Sequence, residues 1–356
     1  RLDGLPKHAL ASTAAIAKKQ NKKGWLLTLD IPTYSAVITH ANERKLREEM
    51  YHAFCTRASD QGSQAGKWDN SKIMHDILCK RLELAKLIDF DNYAEESLAT
   101  KMVKTPQQVI DFLESLAKQS LPKAQEEFTT LKEFAKDQLG LETLEAWDVS
   151  YVSEKLRQHR YAISEEELRP YFPEYRVLDG LFTIVNKLFD IYIAEVEGAD
   201  TWDPNARCFE IKNKNGQTIS YFYLDLYARD NKRGGAWMDD CRVRRRLPNG
   251  EIQLPIAYVN TNFSPPINQD PALFTHNEVV TLFHEFGHAL QHMLTKIDYA
   301  DVSGINGVPW DAVEVASQFF ENWAWEKEPI KLISEHYQTK KTLPDELYKK
   351  MHRAKN

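Results

Sequence analysis

Over most of the first two hundred residues apolar positions recur three and four apart, as in NERKLREEMYHAF, KIMHDILCKRLELAKLI and QQVIDFLESLAKQSL. That period predicts a run of amphipathic helices. Pro122, directly after the third segment, is expected to end or kink its helix, because proline has no amide hydrogen and its ring clashes with the preceding turn. LDGLFTIVNKLFDIYIAEV (178–196) is apolar enough for a buried helix that runs into a strand. Beyond residue 200 the period changes to two. CFEIKNKNGQTISYFYLDLYAR holds two alternating runs, β-branched or aromatic, around Asn215-Gly216, a strong hairpin signal. Asn249-Gly250 marks a second hairpin turn before EIQLPIAYVNTNF. A small antiparallel sheet over about residues 206–263 is therefore predicted, followed by renewed helical texture in FTHNEVVTLFHEFGHALQHML and PWDAVEVASQFFENWAWEK. The fold class that follows is mainly α: a helical body with a small antiparallel β-sheet beside one chemically unusual helix. A helical lobe segment is expected over 1–200 and a second region over 201–356.

Composition narrows the function without deciding it. Of the 356 residues 42% are apolar and 28% charged, which is ordinary globular usage. No run approaches the eighteen or so apolar residues that a membrane-spanning helix requires, so no membrane partner is expected. A net charge of -6 argues against a nucleic-acid partner, whose affinity would come from a basic surface. The basic cluster RVRRR (242–246) reads as a solvated strand face. Cys55, Cys79, Cys208 and Cys241 lie far apart and none forms a CxxC pair, which fits a reducing, cytoplasmic location. The opening RLDGLPKHALAST has neither the apolar core of a secretory signal nor an initiating Met, so a piece of a longer protein is expected.

The unusual helix carries candidate chemistry. Thr275 followed three residues later by Glu278 forms a capping box, predicting a helix that starts at His276 and continues past Leu294. On it, His284 and His288 are one turn apart and turn their imidazoles to the same point, the geometry in which HExxH binds zinc. Glu285 projects toward the same cavity, within reach of a metal-bound water but not of the metal. One zinc per chain with three protein ligands keeps a position for water and lowers its pKa to about 7. Glu285 is then placed to take the proton as the water attacks and to hand it to the leaving amine. His276 is expected at a polar surface position, and His292 as a packing or supporting group. A third ligand is sought on a helix that packs across the first. VPWDAVEVASQFFENW offers Asp311, which suits a cap or first turn, and Glu314 and Glu321, two turns apart on one face; spacing alone does not choose between these two. Gly287, between the histidines, would let another helix approach closely.

Together FTHNEVVTLFHEFGHALQHML, VPWDAVEVASQFFENW, ISYFYLDLYARDNKRGGAW and HRYAISEEELRPYFPEYRVLDGLF resemble the thimet oligopeptidase family of zinc peptidases over most of the chain. Gly235 in KRGGAW, where other branches carry histidine, points to the bacterial branch. The resemblance implies a zincin-like fold with zinc on the floor of a channel that admits short peptides, and cleavage of their internal bonds. It also implies that Glu314 completes the zinc site with His284 and His288. Glu321 then becomes a group that orients a ligand, with Ser317 or Gln318. PIAYVNTNF, with Ile256, Tyr258 and Asn260, is read either as a strand edge offered to an extended peptide or as an ordinary internal strand. Family members continue beyond DELYKKMHRAKN with a Gly-rich segment bearing His and Tyr residues that contact substrate. The catalytic region is therefore expected to be truncated at its C-terminal end, and the alternative reading is a catalytically impaired, zinc-stabilised peptide-binding domain.

Overall fold

The computed structural model describes residues 1–267 and 269–355 and divides into two compact units. The first comprises residues 1–29, 33–160 and 309–311, and the second 30–32, 161–308 and 312 onward. Helices dominate the first: α1 (Lys7–Lys19), α2 (Ile31–His40), α3 (Arg44–Cys55), α4 (Ser71–Leu87), α5 (Tyr93–Leu98), α6 (Pro106–Leu139) and α7 (Val149–Tyr161). Of the two outcomes expected at Pro122, ending the helix does not occur, since α6 continues from Pro106 to Leu139 around it. The Thr105/Gln108 capping box fixes one end and Gly140, with φ 66°, closes the other. The long Gln-, Glu-, Lys- and Ala-rich flanks on both sides outweigh the roughly 3 kcal/mol that an interior proline costs.

Asp148, just before α7, ties this unit together. Its buried carboxylate accepts hydrogen bonds from Arg47 (2.7 Å) and from Arg44 (2.6 and 3.0 Å) on α3. Burial pushes the carboxyl up, but the Arg44 and Arg47 guanidinium groups outweigh it and hold it below the usual range. Because the folded pKa is depressed, the stabilisation is complete above the ordinary carboxylate pKa of about 4 and is lost as pH falls through the folded value. Asp148→Asn is expected to cost about 3–5 kcal/mol at pH 7, by leaving buried guanidinium charge uncompensated, and to flatten acid unfolding below pH 4. Denaturant melts at both pH values test this, and equal midpoints for parent and variant would contradict it.

The second unit contains α8 (Glu165–Leu168), α9 (Glu174–Phe189), β1 (Ile191–Glu195), β2 (Arg207–Asn213), β3 (Thr218–Tyr227), β4 (Trp237–Arg242), β5 (Arg245–Arg246), β6 (Ile252–Gln253) and β7 (Ile256–Phe263). It continues with α10 (His276–Met293), α11 (Glu314–Glu321), α12 (Lys327–Ile333) and α13 (Asp345–Arg353). Helices α8 and α9 and strand β1, all within residues 1–200, thus lie in this second unit. The apolar face of α9, with Leu178, Leu181, Ile184 and Val185, is buried in the same core as the sheet.

Both predicted hairpin turns form. Gly216 takes φ 75° between β2 and β3, and Gly250 takes φ 87° between β5 and β6. The sheet, however, is mixed rather than antiparallel. Its order is β1-β2-β3-β7-β4, with β7 parallel to β3 and antiparallel to β4. The physical reason lies in β7: Ala257, Val259 and Phe263 are buried, and a strand so apolar is stable with both of its backbone edges paired. It therefore inserts between β3 and β4 instead of adding at the edge. One face of the sheet meets α10 through Phe222 and Phe286 (5.3 Å, edge-on), with Phe209 stacked on Phe222 (5.0 Å). Of the basic cluster, Arg244 and Arg246 share Asp298 (2.9 and 2.8 Å), which makes them local ion pairs.

Candidate metal centre

The capping box forms as read from the sequence. Thr275 Oγ1 accepts from the Glu278 amide (3.0 Å) and the Glu278 carboxylate accepts from the Thr275 amide (2.7 Å). The helix ends at Met293 rather than beyond Leu294. His276 is not on the surface. It is 4% exposed, its Nε2 lies 2.8 Å from the Ala324 carbonyl, and Trp325 packs edge-on against it. The sequence suggests exposure because a first-turn histidine follows a polar cap; the turn after α11 covers it. His292 is fully buried, with Nε2 2.8 Å from the Arg242 carbonyl, which suits a packing role.

Gly287 explains how a second helix reaches the histidines. A Cβ there would lie 2.7 Å from Ser317 Cα, 2.8 Å from the Ala316 carbonyl oxygen and 3.0 Å from Phe320 Cβ, so α11 rests directly on the glycine backbone. Gly287→Ala gains about 1 kcal/mol of helix propensity but must displace backbone, an over-packing cost of about 1–3 kcal/mol. The expected net result is a lowered Tm with weakened zinc retention, and a variant melting at or above the parent would show that the two helices part freely.

This contact brings three candidate donors together. The available atoms of His284, His288 and Glu314 all lie within 4.8 Å of one another, and Glu314 Oε2 is 3.0 Å from His284 Nε2 and 3.1 Å from His288 Nε2. A tetrahedral zinc with bonds of about 2.0–2.1 Å would separate its ligand atoms by about 3.3–3.4 Å, so the triad fits with a slight expansion. The donor chemistry agrees. One carboxylate oxygen faces two imidazole nitrogens; a proton can serve only one such pair at a time, whereas a divalent cation serves all three donors.

The surrounding groups orient this set. His284 Nδ1 lies 2.7 Å from Glu321 Oε1, so the ring donates its Nδ1 hydrogen there and keeps the Nε2 lone pair for the centre. Ser317 donates its hydroxyl to Glu314 Oε2 (2.7 Å). Glu314 stands at the first position of α11, where the helix dipole favours an anion. Burial pushes its carboxyl up, but the Ser317 hydroxyl and the two histidines bring it below its ordinary value. Burial pulls the His288 imidazole below its ordinary pKa, which favours the neutral, ligating form. Gln318 is exposed, away from these contacts. Asp311 accepts from the Met102 and Val103 amides (3.0 Å each) and so acts as a backbone cap.

Glu285 sits beside the triad, 6% exposed. Burial pushes its carboxyl up to about 7, with His284 lowering it, Glu314 raising it and the nearby Met238 backbone amide on β4 lowering it least. Nothing in the sequence announces Met238, since a backbone amide has no motif and its position depends on where β4 falls in the sheet. The residues expected at a peptide-binding edge are not at one. Ile256, Tyr258 and Asn260 lie on β7, which pairs with β3 on one side and β4 on the other. Tyr258 packs against Trp202 (5.3 Å) and Tyr223 (5.6 Å). The terminal strand on this side of the sheet is β4.

A helix with two imidazoles one turn apart, a carboxylate brought in from a neighbouring helix and a buried acid beside them is the constellation found in metallopeptidases. Residues 37–356 match peptidase family M3, and the chain belongs to that family. It is 55% identical over 355 residues to oligopeptidase A of Escherichia coli K12, covering 100% of this chain and 52% of the relative. It is 44% identical to the organellar oligopeptidase A of Arabidopsis thaliana (98% and 45%) and 33% identical to the dipeptidyl carboxypeptidase of E. coli K12 (97% and 50%). The chain spans about half the length of these curated relatives.

Proposed function

We propose that this chain carries the zinc centre of a metalloendopeptidase that hydrolyses internal bonds of short oligopeptides. The observation that carries the reading is the convergence of His284, His288 and Glu314 on one point, with Glu285 buried beside them. A zinc ion held by these three residues, one per chain, supplies Lewis acidity that makes water a usable nucleophile near neutral pH. The residues of the chain do the rest. Glu321 holds His284 in the tautomer that ligates, and Ser317 steadies the Glu314 carboxylate. Glu285 accepts the proton of the attacking water and returns it to the departing amine. Phe283 stacked on Phe320, and Phe286 against Phe222, seat α10 on α11 and on the sheet and so hold these groups in place.

Substrate recognition falls to the outer edge of β4. As a terminal strand it has backbone donors and acceptors without a sheet partner among the described residues, and an extended peptide can pair with them with little regard to side chains. The placement of the HExxH helix against the sheet is zincin-like in this reading. The four cysteines are all free thiols, in keeping with a reducing, cytoplasmic setting, and no helix among the described residues is long and apolar enough to cross a membrane.

The test is hydrolysis of a short quenched-fluorescent peptide by the complete protein, with and without chelator. Chelator-sensitive cleavage supports the proposal. Chelator-sensitive binding without cleavage favours the alternative of a zinc-stabilised peptide-binding domain, and an absence of stoichiometric zinc by elemental analysis would remove both.

A further inference from the structure

We propose that the hydrogen-bond network of the β3–β4 connection, the buried charge cluster around Asp225 together with Asn262, is a positioning device for β4, and through β4 for the peptide-binding edge beside Glu285; the inference rests on the peptidase reading above. In the sheet order β3-β7-β4, the connection from Tyr227 to Trp237 must cross β7 before the chain can pair on its far side. The connecting residues ARDNKRGGA (228–236) are polar or small, so no large apolar side chain anchors them in the core.

Hydrogen bonds do so instead. Asp225, 2% exposed, accepts from Trp202 Nε1 (2.8 Å), from both terminal nitrogens of Arg229 (2.7 and 2.8 Å) and from Lys232 Nζ (2.8 Å). The Lys232 side chain is 4% exposed and also donates to the carbonyls of Asp225 and Tyr227, each at 2.9 Å. Asn262 on β7 donates its side-chain amide to the carbonyls of Arg233 and Gly235 (2.8 and 2.7 Å). Gly235, with φ 94°, then turns the chain into β4.

A lysine so deeply withdrawn from water costs free energy unless its donors are matched, and here all its contacts are with acceptors at the root of one loop. The cluster therefore specifies where the loop leaves the sheet, and Asn262 specifies where β4 begins. The first β4 residues pair as Trp237 with Asn260 and Met238 with Val259, and the Met238 backbone lies near Glu285. Loosening the loop shifts the edge on which a peptide would align relative to the base and the zinc ligands, none of which the cluster touches. A misplacement on the order of 1 Å can cost up to about a hundredfold in turnover efficiency.

Asn262→Asp in the complete protein replaces the one amide nitrogen that donates both hydrogen bonds with a carboxylate oxygen that repels the Arg233 and Gly235 carbonyls, and it removes the Asn262 half of the network while leaving the Asp225 cluster intact. Zinc content and Tm are expected to stay parental, with KM for an oligopeptide raised about tenfold and kcat changed by less than about threefold. Lys232→Met should raise KM in the same way but also melt earlier, so Asn262→Asp carries the decision. A parental KM in Asn262→Asp, or a loss accompanied by zinc release, overturns the inference while leaving the peptidase reading intact. A parent protein that does not hydrolyse peptides overturns that reading and this inference with it.

Discussion

Glu285→Gln is expected to bind zinc at parental stoichiometry and to lower kcat for peptide cleavage by about 10²–10⁴. Glutamine keeps the shape of the side chain, but it cannot accept a proton from water as a carboxylate does. Glu285 is not one of the three converging donors, so the metal should be retained. Parallel elemental analysis and steady-state kinetics separate the two effects. Unimpaired cleavage would refute the role given to Glu285, and loss of zinc together with activity would move that residue into the metal-holding set.

The second large effect concerns the carboxylates of α11. Removing Glu321 as an acceptor, in Glu321→Gln, should weaken zinc binding about 10–100-fold, because His284 loses the partner that fixes its tautomer. Glu314→Gln should lose more, since that side chain alone faces both Nε2 atoms. Competition with a metallochromic chelator gives both affinities in one experiment. Equal losses in the two variants, or a larger loss for Glu321→Gln, would mean that the carboxylates exchange the roles proposed for them.

The asymmetry between those residues shows where linear reasoning reached its limit. Glu314 and Glu321 lie two turns apart on one apolar helix, and nothing in their spacing distinguishes them. The resemblance to the family pointed to Glu314. In the structure the distinction arises because α11 rests on the backbone of Gly287, and this contact sets its register against α10. At that register Glu314 meets the inner nitrogens of both histidines, whereas Glu321 meets the outer nitrogen of His284. His276 failed as a prediction for a related reason: burial of a first-turn residue depends on what later folds over it, here Ala324 and Trp325.

Local chemistry by itself determined the helix that bears His284, Glu285 and His288, its capping box and the two glycine-bearing hairpin turns. Each of these depends on residues within a few positions of one another, through 3.6-residue periodicity or backbone hydrogen bonds closed by a neighbouring side chain. The passage of α6 through Pro122 is also settled within the helix, by cooperative helix formation over a span longer than the proline's own neighbourhood. Only the tertiary structure decided that β7 enters between β3 and β4, and that the terminal strand on that side of the sheet is therefore β4. Those outcomes turn on pairing and packing between distant segments, where the free energy resides in contacts that no short window of sequence contains.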